Sequence, residues 1–140
     1  MRRVTPVIVD TGPIVALLNA RDAHHAWARE TFASLQPPLL TCEAVMAETC
    51  HLLRRLHGGT AAALSLLTSG AIEIRFSLPS EVAKVLELIE RYASVPMSLA
   101  DASLVRMAEL DTRAQIVTLD GDFRIYRRGG RQALRLLLPE

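Results

Sequence analysis

Lysine is nearly missing from this chain: Lys84 is the one lysine among 140 residues, against fifteen arginines. Aromatic residues are scarce too, with one Trp, two Tyr and three Phe. So few rings, without regular spacing, give no stacking platform for single-stranded bases. The only two cysteines, Cys42 and Cys50, exclude a disulfide framework. They stand eight positions apart in a segment of helical pattern. That is about 12 Å at about 1.5 Å per residue, whereas a bridge needs Cα atoms within about 7 Å. Free thiols in a reducing cytoplasm are expected. Long hydrophobic runs are absent as well. The longest stretch without charge or histidine, Gly58 to Ile72, contains Gly, Ser and Thr. It falls short of the roughly 18–20 apolar residues of a membrane span. Met1-Arg2-Arg3 imitates a signal peptide, but Asp10 interrupts the apolar run Val7 to Val9, which argues against secretion. The net charge is only +1, so the chain is no simple polycation for coating nucleic acid or membrane.

Half of the residues are hydrophobic, mostly Ala, Leu, Val and Ile, and 22% are charged, which excludes intrinsic disorder. The length suits one domain over residues 1–140 with a substantial core, and no linker or repeat divides it. Val4 to Val9 is a continuous β-branched run, as expected for a strand buried on both faces. Pro13 suits the first residue of a helix to about Asn19. Asp22 can cap a helix over Ala23 to Leu35, stopped before Pro37-Pro38. Leu39 to Thr41 is a short strand candidate. Helical patterns follow over Glu43 to Leu56 and Thr60 to Thr68, separated by Gly58-Gly59. Ala71 to Phe76 reads as a strand and Glu81 to Tyr92 as an amphipathic helix. A helix opens at Ser98 and runs to Leu110; strands are expected at Gln115 to Leu119 and Leu134 to Leu138. Strands alternating with helices imply an α/β fold with a mostly parallel sheet of about four to five strands, covered on both faces.

Parallel sheets bind ligands beyond the carboxyl ends of their strands. Asp10 follows the first strand there, and Asp120, with Asp122 two residues on, follows the strand ending at Leu119. Asp101 sits in the first turn of the helix opened by Ser98. Glu48 interrupts the otherwise apolar Ala44-Val45-Met46-Ala47-Glu48-Thr49-Cys50. Each acid also has a purely structural reading. Asp10 and Asp120-Gly121-Asp122 suit turns, Ser98-Leu99-Ala100-Asp101 suits a capping box, and Glu48 could face solvent.

Taken together, Asp10-Thr11-Gly12, Glu48, Ser98-Leu99-Ala100-Asp101-Ala102 and Thr118-Leu119-Asp120-Gly121-Asp122-Phe123 resemble the acidic motifs of the PIN domain, in order and spacing. The chain looks especially similar to the VapC-type toxins of toxin–antitoxin pairs, over essentially its whole length. The resemblance implies a three-layer α/β/α sandwich and a Mg²⁺- or Mn²⁺-dependent endoribonuclease. It implies an acidic pocket of Asp10, Glu48, Asp101 and Asp120, with Asp122 as an additional ligand or supporting group. Thr11 and Thr118 match positions where a hydroxyl helps hold the pocket together. It also implies a cognate antitoxin, a homodimer and an RNA substrate.

The chemistry suits these residue types. Phosphodiester hydrolysis needs an activated water, neutralised phosphoryl charge and help for the leaving oxygen, all of which a divalent cation supplies. Carboxylates without a Cys/His cluster favour Mg²⁺ or Mn²⁺ over zinc. Setting the five candidate acids aside, sixteen basic residues against ten acids leave +6 elsewhere. Arg124, Arg127, Arg128, Arg131 and Arg135 follow Asp122 with no acid before Glu140, and arginine suits phosphate contacts. His51 could share a helix face with Glu48, but it is expected at the surface or in the core, and Trp27, Phe32, Phe76 and Phe123 read as packing. Val45, Leu52, Leu53, Leu56, Leu64, Leu66 and Leu67 exceed what one sheet face requires and suit core or an interface. Two other readings are open: a catalytically silent RNA-binding or RNA-processing scaffold of the same fold, and a phosphoryl-transfer domain with Asp10 as acceptor. Gly12, two positions after Asp10, and a lone mid-chain Lys84 weigh against the latter.

Overall fold

Three consecutive β-branched residues, Val7–Val9, form β1, and all three are buried. Side chains of a strand alternate between faces, so an unbroken apolar run demands cover on both sides. A computed structural model describes residues 5–140 and supplies that cover. The expected start of this strand at Val4 and the segment Met1-Arg2-Arg3 lie outside the described residues. The remaining elements are α1 (Thr11–Leu18), α2 (His25–Ser34), β2 (Leu39–Thr41), α3 (Glu43–Leu52), α4 (Gly59–Thr68), β3 (Ile72–Ile74), α5 (Leu78–Arg91), α6 (Leu99–Leu110), β4 (Gln115–Val117), a 3₁₀ turn (Gly121–Arg124), β5 (Arg127–Arg128), β6 (Gln132–Ala133) and β7 (Arg135–Leu137).

The main sheet has five strands in the order β3-β2-β1-β4-β7 and is parallel throughout. Ile8 is level with Leu40 on one side and with Ile116 on the other. The chain winds outward from β1 through β2 to β3, then returns to the opposite side of β1 for β4 and β7. The direction of winding therefore reverses between β1 and β4, and a crevice forms there beyond the strand ends. Helix α1 packs on α2, α3 and α4, while α5 packs on α6 and α6 on β1 and β4. The core is the set of side chains between these layers, with Ile8, Val9, Ile14, Val45, Leu104, Ile116, Val117 and Phe123 fully enclosed.

Local differences from the sequence reading have physical causes. Helix α1 begins at Thr11, two residues before Pro13, because Asp10 itself occupies the cap position and accepts from Thr11 N–H. Asp22 caps no helix: its Oδ1 accepts from His24 N–H in a turn two residues long, and α2 starts at His25. Helix α3 stops at Leu52 rather than Leu56, since the chain must turn through Gly58 and Gly59 to lay α4 against it. Proline in the first turn of α5 starts that helix at Leu78, before Glu81. The arginine-rich stretch after Asp122 holds a short antiparallel hairpin, β5–β6, turned at Gly129 and Gly130 with φ of 59° and 77°. Both cysteines are free; Cys42 caps α3 rather than lying within it. Among the described residues no helix is long and apolar enough to cross a membrane.

Candidate active site

Four carboxylates from four different elements meet beyond the carboxyl end of the sheet. Asp10 follows β1 and caps α1, Glu48 lies on α3, Asp101 in the first turn of α6, and Asp120 lies beyond β4. With Thr11, Gly12, Leu52 and Leu119 they line a cavity of about 260 Å³. The cavity sits at the reversal between β1 and β4.

Thr118 holds two of these acids in register. Its hydroxyl donates to Asp10 Oδ2 at 2.7 Å and accepts from Asp120 N–H at 2.9 Å. Asp10 Oδ1 accepts from Thr11 N–H at 2.8 Å, so both of its oxygens are fixed. Asp101 performs the capping role and the pocket role together. Ser98 Oγ accepts from Asp101 N–H at 3.0 Å, and Asp101 Oδ2 accepts from Ser98 N–H at 3.2 Å and from the Tyr126 hydroxyl at 3.3 Å. Asp120 Oδ1 accepts from Asp122 N–H at 2.9 Å. Asp122 itself is exposed and does not line the cavity; its backbone, not its carboxylate, serves the site. His51 is exposed beside Arg54 and is also outside the cavity.

Burial pushes the Asp10 carboxyl up to about 6, although Thr118 and Thr11 favour its charged form; Asp101 and Glu48 add repulsion. Burial also raises Glu48, which lies against the charges of Asp101 and Asp120. Asp101 is raised by burial and by Asp120, against the bonds from Ser98 and Tyr126. Tyr126 is held firmly in its neutral, donating form by burial and by the neighbouring Asp101 and Asp122. None of the four pocket carboxylates pairs with a cationic side chain among the described residues.

A divalent cation suits this donor set. The ligands on offer are hard carboxylate oxygens, their charge is uncompensated, and the buried Thr11 Oγ1 has no partner at hydrogen-bonding distance, though it lies close enough to favour ionised Glu48. Among the described residues no three acidic, histidine or cysteine groups already stand close enough to ligate one ion. Glu48, with its long and exposed side chain, has the most freedom to change that spacing.

Tyr126 escaped the sequence reading. Its signal was a pair of apolar residues, Ile125-Tyr126, inside a basic run: one of the two had to face inward. Tyr126 is fully buried, edge-on to Phe123 and Tyr92 at centroid distances of 5.3 and 5.1 Å. Part of the arginine run also serves structure. Arg127 uses its guanidinium on the carbonyls of Arg124, Ile125 and Tyr126 and donates its N–H to the Tyr92 hydroxyl. In the leucine-rich helices, Val45 and Leu53 belong to the core, whereas Leu52, Leu56 and Leu64 are exposed.

Known proteins share the family and the fold. A sequence model of the PIN domain matches residues 7–129. The 23S rRNA-specific endonuclease VapC20 of Mycobacterium tuberculosis is 29% identical over 119 residues, spanning 84% of this chain and 91% of that protein. Ribonuclease VapC26 of the same organism is 28% identical over 116 residues, 81% of this chain and 86% of its own. The crystal structure of VapC20, described as a toxin that cleaves the sarcin–ricin loop, superimposes with a TM-score of 0.75 at 28% identity, covering 83% of this chain and 91% of that one.

Proposed function

The chain belongs to the PIN-domain family, and from that premise we propose that it is a Mg²⁺- or Mn²⁺-dependent endoribonuclease, the toxin of a toxin–antitoxin pair. The observation that carries this reading is the meeting of Asp10, Glu48, Asp101 and Asp120 in one cavity without a cationic partner. A structural cluster of acids would be neutralised by arginine, of which this chain has fifteen. The VapC relatives are named as ribonucleases, which supports RNA as the substrate.

Asp10, Glu48, Asp101 and Asp120 would hold the cation, which when bound supplies charge neutralisation at the phosphoryl oxygens and lowers the pKa of water for attack. The chain's own residues do the rest. Thr118 and Thr11 orient Asp10, and the same Thr118 hydroxyl fixes the Asp120 backbone. Ser98 and Tyr126 aim Asp101. Burial raises Asp10 to about 6, so it would hold a cation in its ionised form, and more readily above that pH than below it. The excess positive charge outside the pocket draws the RNA backbone toward an otherwise repulsive acidic cavity. Leu52, which lines the cavity, and the exposed Leu56 and Leu64 offer apolar surface for an antitoxin, and the same family suggests a homodimer in the cytoplasm.

The test is cleavage of purified ribosomal RNA, including 23S rRNA, by the wild type and by Asp101→Asn. Discrete cleavage in Mg²⁺, abolished by EDTA and reduced by at least about 100-fold in the variant, is expected. Cleavage that survives both EDTA and Asp101→Asn, or none at all by the wild type, would overturn the assignment.

A further inference from the structure

A second cleft, of about 550 Å³, lies between α5, α6 and the β5–β6 hairpin, away from the four carboxylates. Lys84, Arg91, Arg106, Arg128 and Arg131 border it, against two acids, Glu87 and Glu109. Arg106 is occupied, pairing with Glu81 at 2.6 Å and Glu109 at 3.4 Å. Glu109 is occupied too, since its other oxygen accepts from Gly129 N–H at 2.8 Å. Lys84 and Glu87 pair with each other at 3.6 Å. Three guanidinium groups remain, Arg91, Arg128 and Arg131, with no carboxylate in ion-pair range among the described residues. Arg128 Nε is moreover buried with no acceptor. A buried donor without a partner is costly and asks for an acceptor. The Gly130 turn lies beside Arg91, whose guanidinium is 3.6 Å from where a Cβ on Gly130 would stand, an ordinary contact.

We propose that this cleft binds a phosphate group of the RNA chain at a distance from the bond to be cut. The inference rests on the ribonuclease reading above. Helix α6 carries Asp101 at the acidic cavity and Glu109 at the cleft, eight residues on, which is about 12 Å of helix at about 1.5 Å per residue. The hairpin wall of the cleft begins next to Tyr126, which bonds Asp101. One rigid unit thus presents an acidic cavity and a basic cleft, and a ligand whose phosphates repeat along a chain can engage both. Planar guanidinium forks suit phosphate oxygens, and such contacts fix position rather than sequence.

The experiment measures binding of a fluorescent sixteen-nucleotide oligouridylate in EDTA, where cleavage is off and the acidic cavity repels RNA. The Arg91→Gln/Arg131→Gln double variant is compared with Arg29→Gln/Arg55→Gln, which removes the same charge elsewhere, with melting curves confirming that both fold. Expected is an affinity at least about fivefold weaker in the cleft variant alone, with the log Kd against log salt slope reduced by about 1 to 1.5. Equal affinity and slope in the two variants would overturn the proposal. Pyrophosphate that raises the melting temperature of the wild type but not of the cleft variant, with RNA binding unchanged, would assign the cleft to a free phosphate compound and overturn the RNA assignment. If the wild type cleaves RNA in Mg²⁺ while the cleft variant binds normally, only the cleft proposal falls. If the wild type neither binds nor cleaves, the ribonuclease reading falls and takes the cleft with it.

Discussion

The Thr118 hydroxyl donates to Asp10 and accepts from the Asp120 backbone in a place shut off from solvent. Thr118→Val keeps the shape and removes both bonds, leaving a half-buried N–H unpaired. A loss of about 1–3 kcal/mol in urea unfolding is expected, with Thr118→Ser restoring most of it. The same substitution withdraws a contact that favours ionised Asp10, so its carboxyl should titrate still higher by NMR. Asp10 also sets a pH dependence. Its native pKa of about 6 exceeds the ordinary 3.8, so between those values the folded state keeps a proton that the unfolded chain has released. Stability of metal-free protein therefore falls as pH rises through this window, by about 3 kcal/mol from this group. Asp10→Asn should remove that fall, making the variant the more stable of the two at pH 7.5 in EDTA and not at pH 3.5. Urea unfolding of both proteins at the two pH values checks it; parallel pH curves would contradict it.

Short strands and the helices between them place the site, and small residues permit the joins. At the α3–α4 corner a Cβ on Gly59 would stand 2.5 Å from the Leu53 carbonyl oxygen, a backbone atom that cannot step aside. Gly59→Ala should cost more than about 2 kcal/mol, whereas Gly121→Ala, with open space around it, should change stability by no more than about 0.5 kcal/mol in the same urea titration. The cap of α6 is a third joint: Ser98→Ala should lose about 1 kcal/mol and loosen Asp101. Element type was legible where a strand is a continuous apolar run, as in β1, or where a helix carries its own start signal, as Ser98 with Asp101 does for α6. The hairpin β5–β6 was not, since its residues are Arg, Gln and Ala with no strand pattern, and only the paired glycines mark its turn. Among the acids, Asp10, Asp101 and Asp120 were visible by position at strand or helix ends. Glu48 was visible only as a charge in an apolar helix. Asp122 shared the same turn motif, but it is exposed and outside the cavity lining, and its N–H bonds Asp120 Oδ1. Tyr126 was hidden among arginines, because sequence alone does not show which residue of a basic run turns inward.

At the scale of the whole molecule, opposite charges are sorted to different places while the total stays near neutral. Four carboxylates gather where the sheet reverses its winding, and arginines without a carboxylate partner among the described residues gather on the flank beyond α6. On the proposed ribonuclease reading, that separation would let a chain of net charge +1 serve a polyanionic substrate. RNA affinity should consequently be steeply salt-dependent despite the small net charge, as filter binding over about 50–200 mM salt would show. The central claim is that the four acids form one cation site. It is tested most directly by urea unfolding of the wild type and Asp101→Asn with and without Mn²⁺. At 100 times its dissociation constant the ion should stabilise the wild type by about 2.7 kcal/mol, and the variant far less. A wild type indifferent to Mn²⁺, or a variant stabilised equally, would contradict the account.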